Sequence, residues 1–352
     1  MGVWYATRED VKDALDAKET ARSNGRIGRV LEGASRAVEG LCHRRFYPEQ
    51  ATRFFDWPNE QGARPWRLWL DDSELISVTS LSSGGVAIPD TDFFLEPNRS
   101  GPPYRRIEID LDSNAAFGGG STSQRDITVT GLWGYSADET TAGTVVEALD
   151  ASETGVDVDG PASALLGVGS VLRCDSERML VTGRSQFDTG QDLVGDLTAS
   201  AANTTVAVAD GEQFAVDEVI LVDGERMRVE DIAGNQLVVK RAWDGSVLAA
   251  HTTGTSIYAA RTLTVTRGAL GTTAAAHTSG ASVYRWDPPG PVRQLVIADA
   301  IYTLTLEQAA YSRALRTGEA GSSERSRDTR SLEALRDSIY TSHGRKARTR
   351  AV

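Results

Sequence analysis

A short motif that occurs twice in quick succession constrains the fold of this chain more than any other feature. The stretch RAWDGSVLAAHTTG, Arg241–Gly254, returns 26 residues later as RGALGTTAAAHTSG, Arg267–Gly280. Each copy places an arginine, a glycine, two alanines, a histidine and a final glycine at matching offsets, so His251 corresponds to His277. Self-similarity at a fixed spacing indicates a structural unit that is used more than once.

A second and longer repeat precedes the first one. LGVGSVLRCDSERMLVTGR, Leu166–Arg184, returns 48 residues later, without a gap, as FAVDEVILVDGERMRVEDI, Phe214–Ile232. Its CDSER and VDGER segments are typical of turns between strands. Residues 141–286 show no helical periodicity beyond the short stretch Val145–Leu149. We therefore predict an all-β domain there, built from duplicated hairpin units.

The segments on either side of this block have helical and mixed patterns. Thr7 and Asp10 have the spacing of a capping box, and apolar residues at helical spacing predict a helix over Asn24–Cys42. Short β-rich runs separated by turn residues follow, and they predict a small antiparallel sheet before about residue 140. A long periodic segment after the sequence DPPGP predicts a helix within residues 287–318.

The predicted fold class is therefore α+β, with an inserted all-β domain. We expect residues 1–140 to form a core of N-terminal helices and a small sheet, and residues 141–286 to be the insertion. Residues 287–318 would be the long closing helix of the core, with a linker, a short helix and a basic tail in residues 319–352. The first and last segments should pack together.

The repeated histidines raise the question of a metal site. Such a site needs at least three converging ligands with supporting partners, and tandem copies need not bring equivalent positions into contact. We expect each histidine to donate to backbone at a strand–turn junction, and we predict no metal ligand and no cofactor-binding residue. Cys42 and Cys174 are interpreted as reduced and buried, with a disulfide between them left open.

The remaining motifs do not predict an enzyme. His43 follows Cys42 without the elbow or the oxyanion loop that an activated nucleophile requires. The glycine-rich stretch Phe117–Ser123 lacks the lysine of a phosphate-binding loop. We therefore predict no catalytic residue, and a structural or binding role is left.

Charge and hydropathy narrow the possible partners. The net charge is −12, and residues 141–290 alone carry −10, whereas residues 291–352 carry +4. A body this acidic repels phosphate backbones, which argues against sequence-specific recognition of nucleic acid. No apolar run approaches the length of a membrane span, so no membrane partner is predicted.

Four segments of the chain together carry a family resemblance: YATREDVKDAL, the helix RIGRVLEGASRAVEGLCHRRFYP, the strand DITVTGLWGYS and the closing helix that begins PGPVRQLVIADAIYTLTLEQ. They resemble the head-to-tail adaptor (connector) proteins of long-tailed double-stranded DNA bacteriophages. The resemblance covers roughly residues 5–140 and 288–350. The β block is a departure from a minimal adaptor, and its repeats are similar to modules of other phage virion proteins.

The resemblance implies a structural virion protein of the head–tail interface, made in the host cytoplasm. It would form a homo-oligomeric ring, commonly a dodecamer, with the portal protein above and a head–tail stopper or tail terminator below. Double-stranded DNA would pass through its channel without sequence-specific contacts during ejection. The major capsid protein is a further candidate partner, through the β domain.

Two sets of residues follow as candidates for contacts. The C-terminal segment of an adaptor reaches toward the portal, and here the resemblance assigns portal binding to Arg345, Lys346, Arg348 and Arg350. The mixed-charge face of the Asn24–Cys42 helix would suit a boundary between subunits. The predicted ring interface therefore consists of Arg26, Arg29, Glu32, Arg36 and Glu39.

Two other functions remain open. A tail terminator or minor tail protein also forms rings, but it would lack the C-terminal contact with the portal. A carbohydrate-binding surface module would instead line one face of the β block with exposed aromatic side chains. The candidates for that face are Trp243, Trp286, Tyr258, Tyr284, Phe187 and Phe214.

Overall fold

The computed structural model describes residues 2–15, 23–58, 64–99, 101–313 and 322–345, with the backbone alone for 308–313 and 322–330. The chain forms two compact units. The larger unit comprises Met1–His43, Glu139–Ala269 and Thr273–Val352, and the smaller comprises Arg44–Asp138 and Leu270–Thr272. These boundaries differ from those of the predicted segments, because the N-terminal helices group with the β block.

The smaller unit contains two antiparallel sheets around one apolar core. Its strands are β1 (Glu49–Phe55), β2 (Arg67–Trp69), β3 (Leu75–Ser83), β4 (Val86–Ile88), β5 (Phe93–Glu96), β6 (Arg106–Ile109) and β7 (Ile127–Trp133). One sheet has the order β1-β7-β3-β4 and the other the order β2-β6-β5. Alternate residues of β7 are buried, as in a strand with one face toward a core, and that core includes Leu75, Ile107 and Trp133.

The larger unit contains a ten-stranded antiparallel sheet. Its strands are β8 (Glu139–Thr144), β9 (Gly155–Asp157), β10 (Val171–Cys174), β11 (Glu177–Asp192), β12 (Thr205–Ala207), β13 (Val219–Val222), β14 (Glu225–Ala233), β15 (Gln236–Lys240), β16 (Ser256–Thr266) and β17 (Ser282–Trp286). The strand order is β12-β15-β14-β13-β16-β11-β10-β17-β8, and β9 pairs with β16.

The long strands β11 and β16 join two apolar cores within this sheet. They pair from Leu180 with Thr266 to Asp192 with Ser256, with three register shifts on the way. Residues between these strands contribute most of one core, which includes Val206, Ile220 and Val239. The other core combines residues of β11 and β16 with residues of the remaining strands and of the segment 160–166, and it includes Val156, Leu172 and Val283.

Helices from both ends of the chain pack together in the larger unit. The helices described are α1 (Arg8–Leu15), α2 (Asn24–Cys42), α3 (Gly160–Leu165), α4 (Gly290–Arg313) and α5 (Ser322–His343). Helix α4 contacts α1, α2 and α5, and α2 also contacts α5. Their buried apolar residues include Leu31, Val38, Leu295, Val296 and Ile339.

The predicted α+β class and several local features are confirmed. The fold is α+β, with 36% strand and 24% helix. Helix α2 has the predicted bounds, because its apolar residues at helical spacing form one buried face. The capping box at α1 is present as well: the Asp10 N–H donates to Thr7 Oγ1 at 3.0 Å, and the Thr7 N–H donates to Asp10 Oδ2 at 2.8 Å.

Two local predictions were wrong. The predicted all-β block contains the short helix α3, where the Asp159 side chain accepts from the Ala162 N–H at 3.0 Å and a proline follows the cap. Val145–Leu149, the one stretch of the block with helical spacing, is extended instead: Val145 and Leu149 make isolated β-bridges with Val158 and His277. Within the predicted C-terminal linker, α5 already begins at Ser322, in a stretch rich in the helix-forming residues Glu and Arg.

Candidate functional site

The two repeated histidines lie in two separate buried clusters of charged side chains. Cluster 1 consists of Asp175, Glu177, Arg267 and His277, and cluster 2 consists of Asp223, Glu225, Arg241 and His251. In each cluster a hairpin supplies the aspartate and the glutamate, β10–β11 in cluster 1 and β13–β14 in cluster 2. The arginine and the histidine come from the segment that follows β16 in cluster 1 and from the segment that follows β15 in cluster 2.

Glu177 is the centre of cluster 1 and is fully buried. Arg267 donates from Nε and Nη2 to its two oxygens, both at 2.8 Å. The backbone N–H groups of Gly268 and Ala275 donate to the same carboxylate at 2.8 and 3.0 Å, and His277 Nε2 lies 2.9 Å from Oε2. One buried charge is thus held by a forked guanidinium, two peptide groups and an imidazole.

Glu225 has the corresponding contacts in cluster 2. Arg241 donates from Nε and Nη2 at 2.7 and 2.8 Å. The N–H groups of Ala242 and Ala249 donate at 2.9 and 3.0 Å, and His251 Nε2 lies 3.0 Å from Oε2. Every partner of Glu225 therefore occupies the position equivalent to a partner of Glu177.

Each histidine bridges its buried glutamate to an exposed aspartate. His277 Nδ1 lies 2.8 Å from Asp175, and His251 Nδ1 lies 2.7 Å from Asp223. The imidazoles have 1% and 0% exposed side-chain surface, whereas the two aspartates have 65% and 61%. Because ionised carboxylates only accept hydrogen bonds, all four contacts form when both ring nitrogens carry protons.

The expectation that the histidine side chains donate to backbone was wrong. Their side chains bind carboxylates, and it is their backbones that form bridges, His277 with Leu149 and His251 with Leu197. In the sequence, the carboxylate partners of the histidines stand out only because they occur at matching positions in the two copies of the longer repeat. His277 and Asp175 are 102 residues apart, so nothing local in the sequence links them.

Hydrogen bonding controls the ionisation of the two glutamates. Burial alone would raise the pKa of Glu177, but the donors Arg267, Ala275, Gly268 and His277 lower it to about 2. The equivalent donors lower the pKa of Glu225 to about 2 against the same effect of burial. Both carboxylates are therefore ionised at neutral pH.

The turns that present the acidic side chains have matching backbone conformations. Asp175 and Asp223 have φ of 49° and 52°, in the left-handed region that suits Asp in a two-residue hairpin turn. Gly268 and Ala242, each directly after the cluster arginine, have φ of 58° and 54°. The N–H of each of these two residues then points at the buried glutamate.

One group of side chains among the described residues has the composition of a metal site. Cys174, Asp175 and His277 each offer a ligand atom, and these atoms lie within 4.8 Å of one another. Burial, followed by the charges of Asp175 and Glu177, raises the pKa of the Cys174 thiol to about 11. Both nitrogens of His277 already face carboxylates, and cluster 2 has Val222 at the position of the cysteine. We therefore assign no metal to it.

Cys42 and Cys174 are both buried, and they form no disulfide. Among the described residues, no helix is both long and apolar enough to cross a membrane.

The residues of the predicted ring interface make contacts within the chain. Arg26 and Arg29 pair with Glu307 of α4 at 2.8 and 3.2 Å. Glu32 accepts from Trp4 Nε1 at 2.6 Å, and Glu39 accepts from the Tyr5 hydroxyl at 2.7 Å. Arg36 donates to the Val3 carbonyl and pairs with Glu39 at 3.0 Å. These residues fix the N-terminal segment and α4 to α2, and their role between subunits stays a prediction.

Of the residues predicted to bind the portal, Arg345 is within the described part of the chain. Its backbone N–H donates to the Cys42 carbonyl at 2.8 Å, just beyond the end of α5. Lys346, Arg348 and Arg350 lie outside the described residues.

Four of the six aromatic residues considered for carbohydrate binding are buried or contact an arginine. Trp286 and Phe214 are buried. The guanidinium carbons of Arg173 and Arg228 lie 4.4 and 5.2 Å from the ring centroids of Tyr284 and Trp243. Tyr258 is 37% exposed. These contacts do not favour a row of open aromatic rings.

No family model matches the chain, and neither the curated proteins nor the solved structures contain a detectable relative of it. The two clusters are therefore interpreted on their chemistry. Each cluster buries its ionised glutamate completely and surrounds it with hydrogen-bond donors. This arrangement fixes the hairpin turn that carries the glutamate to the segment that carries the arginine and the histidine. Neither offers an accessible nucleophile beside a base.

Proposed function

We propose that this chain is a structural protein of the head–tail junction of a tailed DNA phage, and that it forms a ring below the portal through which DNA passes. One observation carries the proposal: helices α1 and α2 from the start of the chain pack with α4 and α5 from its end. An adaptor core assembled from the first and last segments needs this arrangement. The proposal therefore rests on this packing together with the sequence resemblance.

The chemistry of the β block supports a structural role over a catalytic one. The most elaborate polar sites of the described residues are the two clusters, and their charged groups are consumed by internal contacts. The net charge of −12 also suits a wall along which DNA slides without being held. We propose no catalytic residue, no cofactor and no metal.

We further propose that the β block consists of one unit inserted into a second copy of itself. Equivalent contacts occur in both copies, and the residues that make them are separated in the sequence by one of two fixed distances. Equivalent residues of the two hairpins are 48 residues apart, as Glu177 and Glu225 are. Equivalent residues of the segments that carry the arginine and the histidine are 26 residues apart, as His251 and His277 are. The pairs Cys174–Val283 and Val222–Ile257 follow the same two offsets. One copy then runs from within β11 to within β16, and the segments before and after it form the other copy.

The proposed partners are other copies of the chain, the portal protein and a stopper or tail terminator, with the capsid protein as a candidate for the β block. A tail terminator or minor tail protein is the alternative that shares ring formation. The carbohydrate-binding alternative gains no support from the aromatic residues described above.

Electron microscopy of the purified full-length chain tests the proposal. Closed rings of uniform copy number, or rings at the head–tail junction when virions are labelled with an antibody against this chain, would support it. A chain that stays monomeric at high concentration and is absent from virions would contradict it.

The basic C-terminus distinguishes an adaptor from a tail protein. Neutralising Lys346, Arg348 and Arg350 with glutamine should leave ring formation intact and weaken co-purification with the portal protein. The matched control replaces Arg99, Arg125 and Arg64, three arginines outside the C-terminal segment. If the C-terminal variant binds portal as well as the control does, the portal contact is wrong and the tail-protein alternative gains weight.

A further inference from the structure

A cleft of about 370 Å³ within the larger unit has no role in the function proposed above. It is lined by helices α1 and α3, by Asn24 of α2, by Arg293 of α4 and by residues of the large sheet and its loops, and its volume is typical of ligand sites. Seven basic and five acidic side chains line it, so its charge is opposite in sign to that of the chain as a whole.

The acidic side chains of this cleft already have cationic partners. Arg293 pairs with Asp10 at 2.6 Å, and Lys12 pairs with Asp244 at 2.7 Å. The other acidic groups contact an arginine: Glu9 contacts Arg184, and Asp13 and Asp217 contact Arg228. The cleft therefore has no unpaired carboxylate among its lining residues, and its excess charge is positive.

Arg8 is the basic residue of the cleft that has no partner among the residues that the structure describes. Its Nε is shielded from solvent and makes no hydrogen bond, and its guanidinium forms no ion pair with any residue that the structure describes. The guanidinium lies against the backbone of α2 at Gly28, where an added Cβ would be 3.8 Å from Arg8 Nη2. Gly28 lies one turn after Asn24, so the guanidinium is beside the face of α2 that carries Asn24.

Asn24, the first residue of α2, adds a second unsatisfied side chain. Asn24 lines the same cleft, and its Oδ1 is shielded from solvent without a hydrogen-bond partner, so its amide is unused in either orientation of oxygen and nitrogen. The N-cap residue Ser23 makes no side-chain capping bond, and the first turn contains no acidic residue. The dipole of this 19-residue helix favours negative charge at this point.

We infer that this cleft binds an oxyanion, a phosphate or carboxylate group, between the Arg8 guanidinium and the first turn of α2. The guanidinium supplies a charged fork that matches either group. The Asn24 amide supplies a further donor, and the dipole of α2 favours the negative charge. The oxyanion comes either from a free ion or from an exposed carboxylate of a second copy, and the inference does not depend on the proposed phage function.

Calorimetric titration of the full-length chain with inorganic phosphate tests the inference, with Asn24→Asp and Arg8→Gln as variants. We expect saturable binding at one site, weakened roughly tenfold or more by each substitution, because each removes a charge-assisted contact or adds a like charge. Asn24→Asp is the more discriminating variant, since an acidic side chain at a helix N-terminus stabilises the helix and should not lower the melting temperature.

The control is Arg99→Gln, an equal change of charge at an exposed residue of the smaller unit, which should bind phosphate as the wild type does. Equal binding by the wild type and Asn24→Asp, or a loss of binding in the control as large as in Arg8→Gln, would overturn the inference and leave an adventitious ion only. Sedimentation of the same samples identifies the source. Phosphate that disperses self-association in the wild type points to a carboxylate of a second copy, and unchanged association points to a free ion.

Discussion

At the scale of single residues, the two buried glutamates show how this β block holds charge away from water. Removing an ionised carboxylate from water is costly unless it is paired and fully hydrogen-bonded. Glu177 and Glu225 each accept bonds from an arginine, two peptide N–H groups and a histidine. Removing one partner of such a set is destabilising, because the remaining charged groups stay buried without full compensation.

Glu177→Gln should therefore destabilise the larger unit by about 3 kcal/mol or more, because Arg267 stays buried without its counter-ion. Urea unfolding followed by near-UV circular dichroism measures this. Asp175→Asn is the matched control: its side chain is 65% exposed, and its loss should cost about 1 kcal/mol or less. A cost for Glu177→Gln no larger than that of the control would show that cluster 1 contributes little.

The depressed pKa values of the two glutamates predict how stability changes with pH. Their folded pKa of about 2 lies below the ordinary value of 4.5, so their contribution is complete above about pH 4.5 and is lost as the pH falls toward 2. The double variant Glu177→Gln/Glu225→Gln should lose less stability than the wild type between pH 4.5 and pH 2. Parallel stability curves for the two proteins over this range would contradict the assignment.

At the scale of secondary-structure elements, the sequence predicted what depends on local spacing. The bounds of α2 follow from a single apolar stripe, and the hairpin turns follow from Asp-Gly and Asp-Ser between strands. The sequence did not predict the partners of His251 and His277, because the hairpin and the segment that carries the histidine meet only in the folded sheet. The helix over Ser322–His343 was also missed in its first half, where charged residues carry no apolar periodicity.

Helix α5 is held on α4 by a partly buried ion pair. Arg336 Nη2 donates to Asp299 Oδ1 at 2.7 Å, and Asp299 is 6% exposed. Burial raises the pKa of Asp299, and Arg336 offsets part of this effect. Ile339, which is 1% exposed, adds apolar contact on the same helix.

Arg336→Gln should therefore loosen α5, since Asp299 then lacks a counter-ion inside the helical layer. Hydrogen exchange of the peptides that span α5 should become about tenfold faster or more, whereas exchange of the β block should not change. Glu333→Gln, an exposed substitution on the same helix, is the control. Unchanged exchange in Arg336→Gln would mean that apolar contacts alone dock α5.

At the scale of the whole molecule, the proposed account depends on a helical layer built from both ends of the chain. The large sheet lies between these ends in the sequence, and its two cores give it apolar interiors of its own. This organisation was predictable in outline, because the character of the sequence changes at about residues 140 and 287. The separate unit Arg44–Asp138 was not predicted, because a run of short strands does not reveal which neighbours it packs against.

Native mass spectrometry of the full-length chain tests the central proposal, self-association into a ring, most directly. The account predicts one dominant species whose mass is a fixed multiple of 37.8 kDa, twelve for a dodecamer, and which keeps that stoichiometry on dilution. A monomer of 37.8 kDa at every concentration, or an open-ended series of oligomers, would contradict it.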